Sequence, residues 1–152
     1  MRAAMLFPAA VLGLALTACS QPGGGEAPAP AKTEPRTLAG VDLDQPVRVL
    51  GTEPFWAVEI TPQGLTYSGV DRAEQRAANP GPVLQGALAS WTTRTEAGTP
   101  LIVTLTATDC SDGMSDRTHP LAARVEIGGE TLTGCAAASV ALARVGEAGR
   151  VE

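Results

Sequence analysis

Aromatic residues make up only 3% of this 152-residue chain, and histidine occurs once. Beyond the N-terminal apolar run the aromatics are Phe55, Trp56, Tyr67 and Trp91. So few rings exclude an aromatic stacking platform of the kind that holds single-stranded nucleic acid. Basic clusters are absent as well. With Arg2 set aside, ten basic residues face sixteen acidic ones. Nucleic acid is therefore not expected as a partner, nor is direct electrostatic docking on anionic lipid.

Catalytic signatures are equally scarce. No nucleophile elbow or Gly-rich oxyanion segment stands beside Ser111, Ser115 and the lone His119. Glu53 and Glu59 flank "PFW", but on a strand six residues separate them by about 20 Å. That is too far for paired-carboxylate glycoside chemistry. An enzyme is not expected.

What is present begins with "MRAAMLFPAAVLGLALTACS". Arg2 is a short positive region, and residues 3–16 form an uncharged apolar run. It is shorter than the roughly 20 residues of a membrane span. Residues 1–18 therefore read as a secretory leader. Leu16-Thr17-Ala18-Cys19 matches the bacterial lipobox. Small residues before the cysteine let an extended segment enter a peptidase site, and the Cys19 thiol carries the lipid. Three acyl chains exceed the two signals that stable anchoring needs. Ser20 stands where an aspartate would favour inner-membrane retention. The expected location is the outer membrane, lipid-anchored, with the domain facing the periplasm.

Residues 19–40 comprise the lipidated cysteine and a segment rich in Pro, Gly and Ala. Such a segment cannot bury enough surface to offset its ordering entropy, so a disordered tether is expected. Residues 41–152 are left as one small domain. Period-2 or β-rich patterns occupy 46–50, 55–60, 64–70, 87–95, 100–109, 121–127, 130–136 and 139–145. "ITPQGLTY" predicts a hairpin with Pro62 and Gly64 in its turn. "VEIGGETL" predicts a tight hairpin, because Gly128 and Gly129 can both take positive φ. Only 71–78, "DRAEQRAA", predicts a short helix. The expectation is all-β: a small antiparallel barrel of about seven or eight strands, with a sandwich as the alternative.

Cys110 and Cys135 remain after lipidation. An exported domain keeps disulfides, and only one pairing is possible. It closes a loop of 26 residues, worth roughly 3 kcal/mol on the chain-entropy model. Between them lies "CSDGMSDRTHP", 110–120. Cys110, Met114 and His119 are all Cu(I) ligand types, but a disulfide removes the thiolate. Asp109, Asp112 and Asp116 with Gly113 do not match the calcium-loop spacing, and no bidentate Glu follows. No metal or other cofactor is expected. The preferred reading is a self-bonded turn, since Asp and Ser side chains bond nearby backbone amides. Asp112, Gly113, Met114, Asp116 and Arg117 are the candidate binding loop on that turn. Trp56 is the candidate ligand contact, with core packing as its commoner role.

Three segments, "GTEPFWAVEI", "CSDGMSDRTHP" and "LTGCA", resemble the signatures of an uncharacterised family of proteobacterial lipoproteins and secreted proteins. The resemblance spans most of 46–145. It implies no activity. The family pattern has a tyrosine where His119 stands, which implies packing rather than ligation for that histidine. The function expected is a protein-interaction or structural module of the cell envelope. Its contacts are the membrane, through the N-terminal lipid, and an envelope protein. The alternative is a small-ligand or metal-binding lipoprotein.

The lipobox generates the first prediction. Cys19→Ser abolishes fatty-acid labelling and leaves an unprocessed or soluble product. Labelling that persists in the variant overturns the assignment.

Overall fold

Every second side chain of an alternating segment can be buried on one face of a sheet, and most of the expected strands form on that principle. A computed structural model describes residues 35–70, 72–146 and 148–152. The leader (1–18), Cys19 and the tether up to residue 34 lie outside the described residues. The strands are β1 (Thr37–Leu38), β2 (Val41–Asp42), β3 (Val47–Thr52), β4 (Phe55–Thr61), β5 (Gly64–Gly69), β6 (Gln75–Ala77), β7 (Val83–Gln85), β8 (Leu88–Arg94), β9 (Pro100–Cys110), β10 (Asp116–Ile127), β11 (Glu130–Ala138) and β12 (Ala148–Arg150). A four-residue helix, α1, spans Ser139–Leu142.

The main sheet runs β6-β5-β4-β3-β11-β10-β9-β8-β7, with every neighbour antiparallel. β12 adds a short parallel pairing to the start of β10. β6, at one end of the sheet, meets the residue that follows β8 at a single bridge, Ala77 to Thr95, beside which the Glu96 N–H donates to the Arg76 carbonyl at 2.7 Å. One bridge does not make a continuous ladder. The closed barrel favoured by the sequence is not formed, and the arrangement agrees with the sandwich alternative.

Between the layers the core is filled. Trp91, Tyr67, Ile60, Leu65, Leu101, Leu105, Leu121 and Ile127 are all fully or almost fully buried. Each fully buried side chain of this size stabilises by about 1.5–3 kcal/mol. Leu38, Val41 and Leu43 join the same cluster. The folded unit thus starts before residue 41: residues 35–40, expected in the tether, contribute β1 and a core leucine.

Both predicted hairpins form. Gly128 and Gly129 have φ of 58° and 86° and close Ile127 onto Glu130. The other hairpin pairs Thr61 with Gly64, so its turn residues are Pro62 and Gln63. Gly64 stands on the strand instead, where a Cβ would lie 2.7 Å from the Ala77 carbonyl oxygen.

Two further expectations are corrected. Residues 71–78 form no helix among the described residues; 75–77 are β6, paired to β5 through Leu65–Ala77 and Tyr67–Gln75. Two turns of helix do not repay nucleation, whereas the β5 edge supplies partners and buries Ala77. The strand expected over 139–145 stops short. β11 loses its partner at Val47, the first residue of β3, where Ala138 makes the last pair. Beyond it, backbone groups must be satisfied locally. Ser139 N–H donates to the Pro46 carbonyl, and the chain turns into α1.

One close approach sets the register of β11 against β3. A Cβ on Gly134 would sit 2.0 Å from the Leu50 carbonyl oxygen and 3.1 Å from the Gly51 Cα. Backbone cannot move aside as a side chain can. Gly134→Ala is expected to destabilise the domain by about 2–4 kcal/mol, through strain of the kind that gives large mutational effects. Gly146→Ala, with nothing within 4 Å of its Cβ position, should stay within about 0.5 kcal/mol. Urea titration of both variants checks the contrast.

Candidate functional site

Period-2 geometry sends Trp56 inward, so its neighbour Phe55 must point outward. Trp56 is 4% exposed and Phe55 is 55% exposed. The Trp56 indole lies over Gly51, where a Cβ would fall 2.3 Å from Nε1. A glycine opposite an aromatic ring lets the ring lie flat against the neighbouring strand. That contact accounts for the glycine and the tryptophan of "GTEPFW". Trp56 thus packs against β3, and it also borders the groove described below.

The outward face of β3-β4-β5 is arranged in rows by the ladder. Leu50, Ala57 and Ser68 form the middle row, with Thr52 and Phe55 in the row beyond and Arg48 and Glu59 in the row before. Val70 follows β5 on the Phe55 side, its N–H donating to the Phe55 carbonyl at 3.2 Å. Glu53 and Pro54 form the β3–β4 turn.

The loop between β9 and β10 is attached covalently to β11, the neighbour of β3. Cys110 and Cys135 form a disulfide with Cα atoms 5.6 Å apart, inside the 4.4–6.8 Å range for such bonds. Cys135 is directly opposite Leu50 in the ladder. The loop is self-bonded as the sequence predicts. Asp112 accepts from the N–H groups of Met114 (3.0 Å) and Ser115 (2.8 Å) and from the Ser115 hydroxyl (2.8 Å). The Gly113 N–H donates to Ser111 Oγ at 3.2 Å, and Gly113 takes φ of 73°. Thr52 Oγ1 donates to the Asp112 carbonyl at 3.1 Å, fastening the loop to β3.

Burial favours the neutral form of Asp112, but the Ser115 and Met114 N–H groups and the Ser115 hydroxyl outweigh it. Its carboxyl is held below the ordinary carboxylate range. Arg117 donates through Nε to the Gly146 carbonyl (2.6 Å) and through Nη2 to the Val145 carbonyl (3.2 Å). Asp116 is exposed at the start of β10, opposite Ala148 of β12. Nearby, Arg150 pairs with both carboxylate oxygens of Asp109, at 3.0 and 2.8 Å, which lowers the Asp109 pKa.

Between the loop and the sheet face lies an open groove of about 610 Å³. Leu50, Ala57 and Ser68 line it together with Phe55, Val70 and Met114, and Arg48 and Arg117 stand at its walls. Phe55, Val70 and Met114 are 55%, 74% and 67% exposed. Of the predicted loop residues, Asp112, Met114 and Arg117 line this groove. Gly113 faces a second hollow between the loop, the β3–β4 turn and Thr133-Gly134. Asp116 lines neither. Sequence reasoning missed Phe55, Val70 and Arg48. The signal for Phe55 was present, since burying Trp56 on a strand exposes Phe55.

The chemistry considered for the loop does not assemble. Cys110 is oxidised, Met114 is exposed, and His119 is fully buried. Among the described residues no group of three His, Cys, Asp or Glu side chains is placed to hold a metal ion. The Ser115 hydroxyl donates to Asp112 and makes no nucleophile–base pair with His119. His119 faces Cys110 in the β9–β10 ladder, just before the register shift at Pro120. Neither of its ring nitrogens has a hydrogen-bond partner of normal geometry. Burial pushes its pKa below the ordinary histidine value, and Arg117 pushes the same way; the Cys110 backbone and the Asp112 carboxylate oppose this more weakly. Comparison with protein-family models, with curated proteins and with solved structures gives no match.

His119 thus binds a proton less readily in the folded protein than in the unfolded chain. Stability is full above the unfolded value of about 6.5 and falls as pH drops through and below it, because the unfolded state takes the proton first. Asp112 behaves differently: its contribution persists down to about pH 4 and is lost only as pH falls further, through its lowered folded pKa. Urea midpoints between pH 8 and 5 should decline in the native protein and flatten in His119→Phe. An unchanged slope in the variant assigns the decline elsewhere. Reduction of the disulfide should cost about 3 kcal/mol, read from the same titration with and without reductant.

Proposed function

We propose that the protein is an outer-membrane-anchored lipoprotein of the cell envelope whose β domain is a protein-interaction module in the periplasm. One observation carries the reading: the apolar groove at Phe55, Val70 and Met114, built by a cross-linked loop on the outside of a filled core. Exposed apolar side chains gathered on a rigid platform are what a partner surface buries. The core itself is occupied by Trp91, Tyr67 and aliphatic side chains, which favours the outer groove as the place of contact. The anchor and the periplasmic orientation rest on the lipobox and on Ser20.

A second reading, small-ligand binding, draws on another feature. A groove of about 510 Å³ beside α1 is lined by Val41, Ala138, Val140, Ala141 and Val151. Its size is within the range of ligand pockets, but it lacks convergent buried polar groups to orient a ligand.

Photo-cross-linking in the intact envelope tests the first reading. A benzophenone amino acid replacing Val70 should give a discrete protein adduct. The adduct should disappear when Phe55→Asp is added, and the same probe replacing Thr92 should give none. Equal labelling from both positions, or none from Val70, overturns the interaction module.

A further inference from the structure

We infer that His119 is the sensor of an acid-sensitive latch: protonation of its ring releases the turn at 111–117 and removes the loop wall of the groove. The opening of the turn stands on the fold alone, and only its effect on a partner rests on the interaction reading above.

The one imidazole of the chain is fully buried, and neither ring nitrogen has a hydrogen-bond partner of normal geometry. A neutral ring tolerates that position. An imidazolium there is a buried charge with two unanswered donors. Two charged groups act on the ring, the Asp112 carboxylate of the loop and the Arg117 guanidinium of β10. Arg117 opposes a proton. Asp112 attracts one, but both its oxygens already accept from Met114 and Ser115. The neighbouring elements supply no other counter-ion. Asp109 of β9 is paired with Arg150 of β12, which also holds Glu152. Asp116 is exposed. β11 carries no charged side chain after Glu130, and its cysteine is in the disulfide.

A protonated ring therefore has two ways to be satisfied. It swings out into water, or Asp112 turns towards it. Either movement breaks the bonds that shape the turn. The loop is the part that yields, because its hydrogen bonds are local, whereas β9, β10 and β11 are joined by long ladders over a filled core. Such local units open at lower free energy than the whole. The disulfide keeps Cys110 on β11, so the opening stops at the root of the loop. Met114 then leaves the side of Phe55 and Val70. In the open state the ring is in water with its ordinary value of about 6.5. Its value in the closed state is lower. The closed loop is thus fully favoured above about pH 6.5 and loses ground to the open one as pH falls below it.

Amide hydrogen exchange of the full chain, followed by NMR and corrected for the intrinsic effect of pH, tests the latch. Protection at Met114 and Ser115 should fall about tenfold or more between about pH 7.5 and about pH 5, while amides in β4 and β9 keep theirs. His119→Phe should hold the protection of the turn at the lower pH. His119→Tyr, the residue of the resembled family pattern, serves the same purpose should the first variant not fold. Protection of the turn that is unchanged in acid overturns the latch. So does a loss shared by β4 and β9, which is unfolding of the whole domain, or a loss that persists in the ring variant. The benzophenone adduct from position 70, formed in envelopes held at the two pH values, should weaken in acid in the native protein and not in His119→Phe. An adduct absent at both values removes the interaction reading and leaves exchange to decide the latch. An adduct equally strong in acid, with the turn open, overturns the loop as a wall of the groove.

Discussion

The approach of β11 to β3 at Gly134 is the contact on which the rest of this domain depends. With a hydrogen in place of a side chain, the two backbones come close enough that even a methyl group would overlap the Leu50 carbonyl. The next residue, Cys135, is then opposite Leu50 and within disulfide reach of Cys110. The cross-link in turn holds the root of the loop, and Thr52 pins its middle. Loop, strand face and groove are therefore consequences of one tight pairing. Small and solvent-facing, the loop could not hold its place by burial; its bonds are mostly internal, and such local bonds open with low free energy unless their ends are fixed.

Much of the fold was legible because strand formation is dictated by alternation, which is local. Val47–Val49, Trp56–Val58–Ile60 and Val103–Leu105 declare their inward faces in the sequence, and Gly128-Gly129 declares its turn. Elements whose state depends on a distant partner were not legible. Residues 75–77 are a strand because β5 offers an edge. Residues 139–142 are helical because β3 has ended. Closure was likewise hidden, since whether a sheet joins its own edge depends on cumulative twist and strand number, not on any one segment.

The site was legible in part, and the division follows the same line. Asp112 and Ser115 read as a self-bonded turn because their partners lie within three residues. The disulfide followed from arithmetic. Phe55, Val70 and Arg48 did not stand out, because an exposed apolar or basic residue has meaning only beside others. Their assembly requires the ladder that sets Phe55 against Thr52 and Ala57 against Leu50. Met114 joins them only after the cross-link folds the loop over the sheet.

His119 shows how the same scaffold keeps its one imidazole away from solvent. Catalysis and metal binding both need an imidazole that can exchange protons or donate a lone pair to solvent-accessible species. Here the ring is sealed beneath the loop, beside the disulfide, with its nitrogens unpartnered. A buried polar group without partners costs stability, and a neutral ring keeps that cost smaller than a charged one would. Its position therefore serves packing under the loop. Above it, the same loop presents Met114 to solvent and turns its carboxylate inward onto its own amides. Asp112, Ser111 and Ser115 are spent on holding the turn's shape, and Met114 is left facing outward beside Phe55 and Val70.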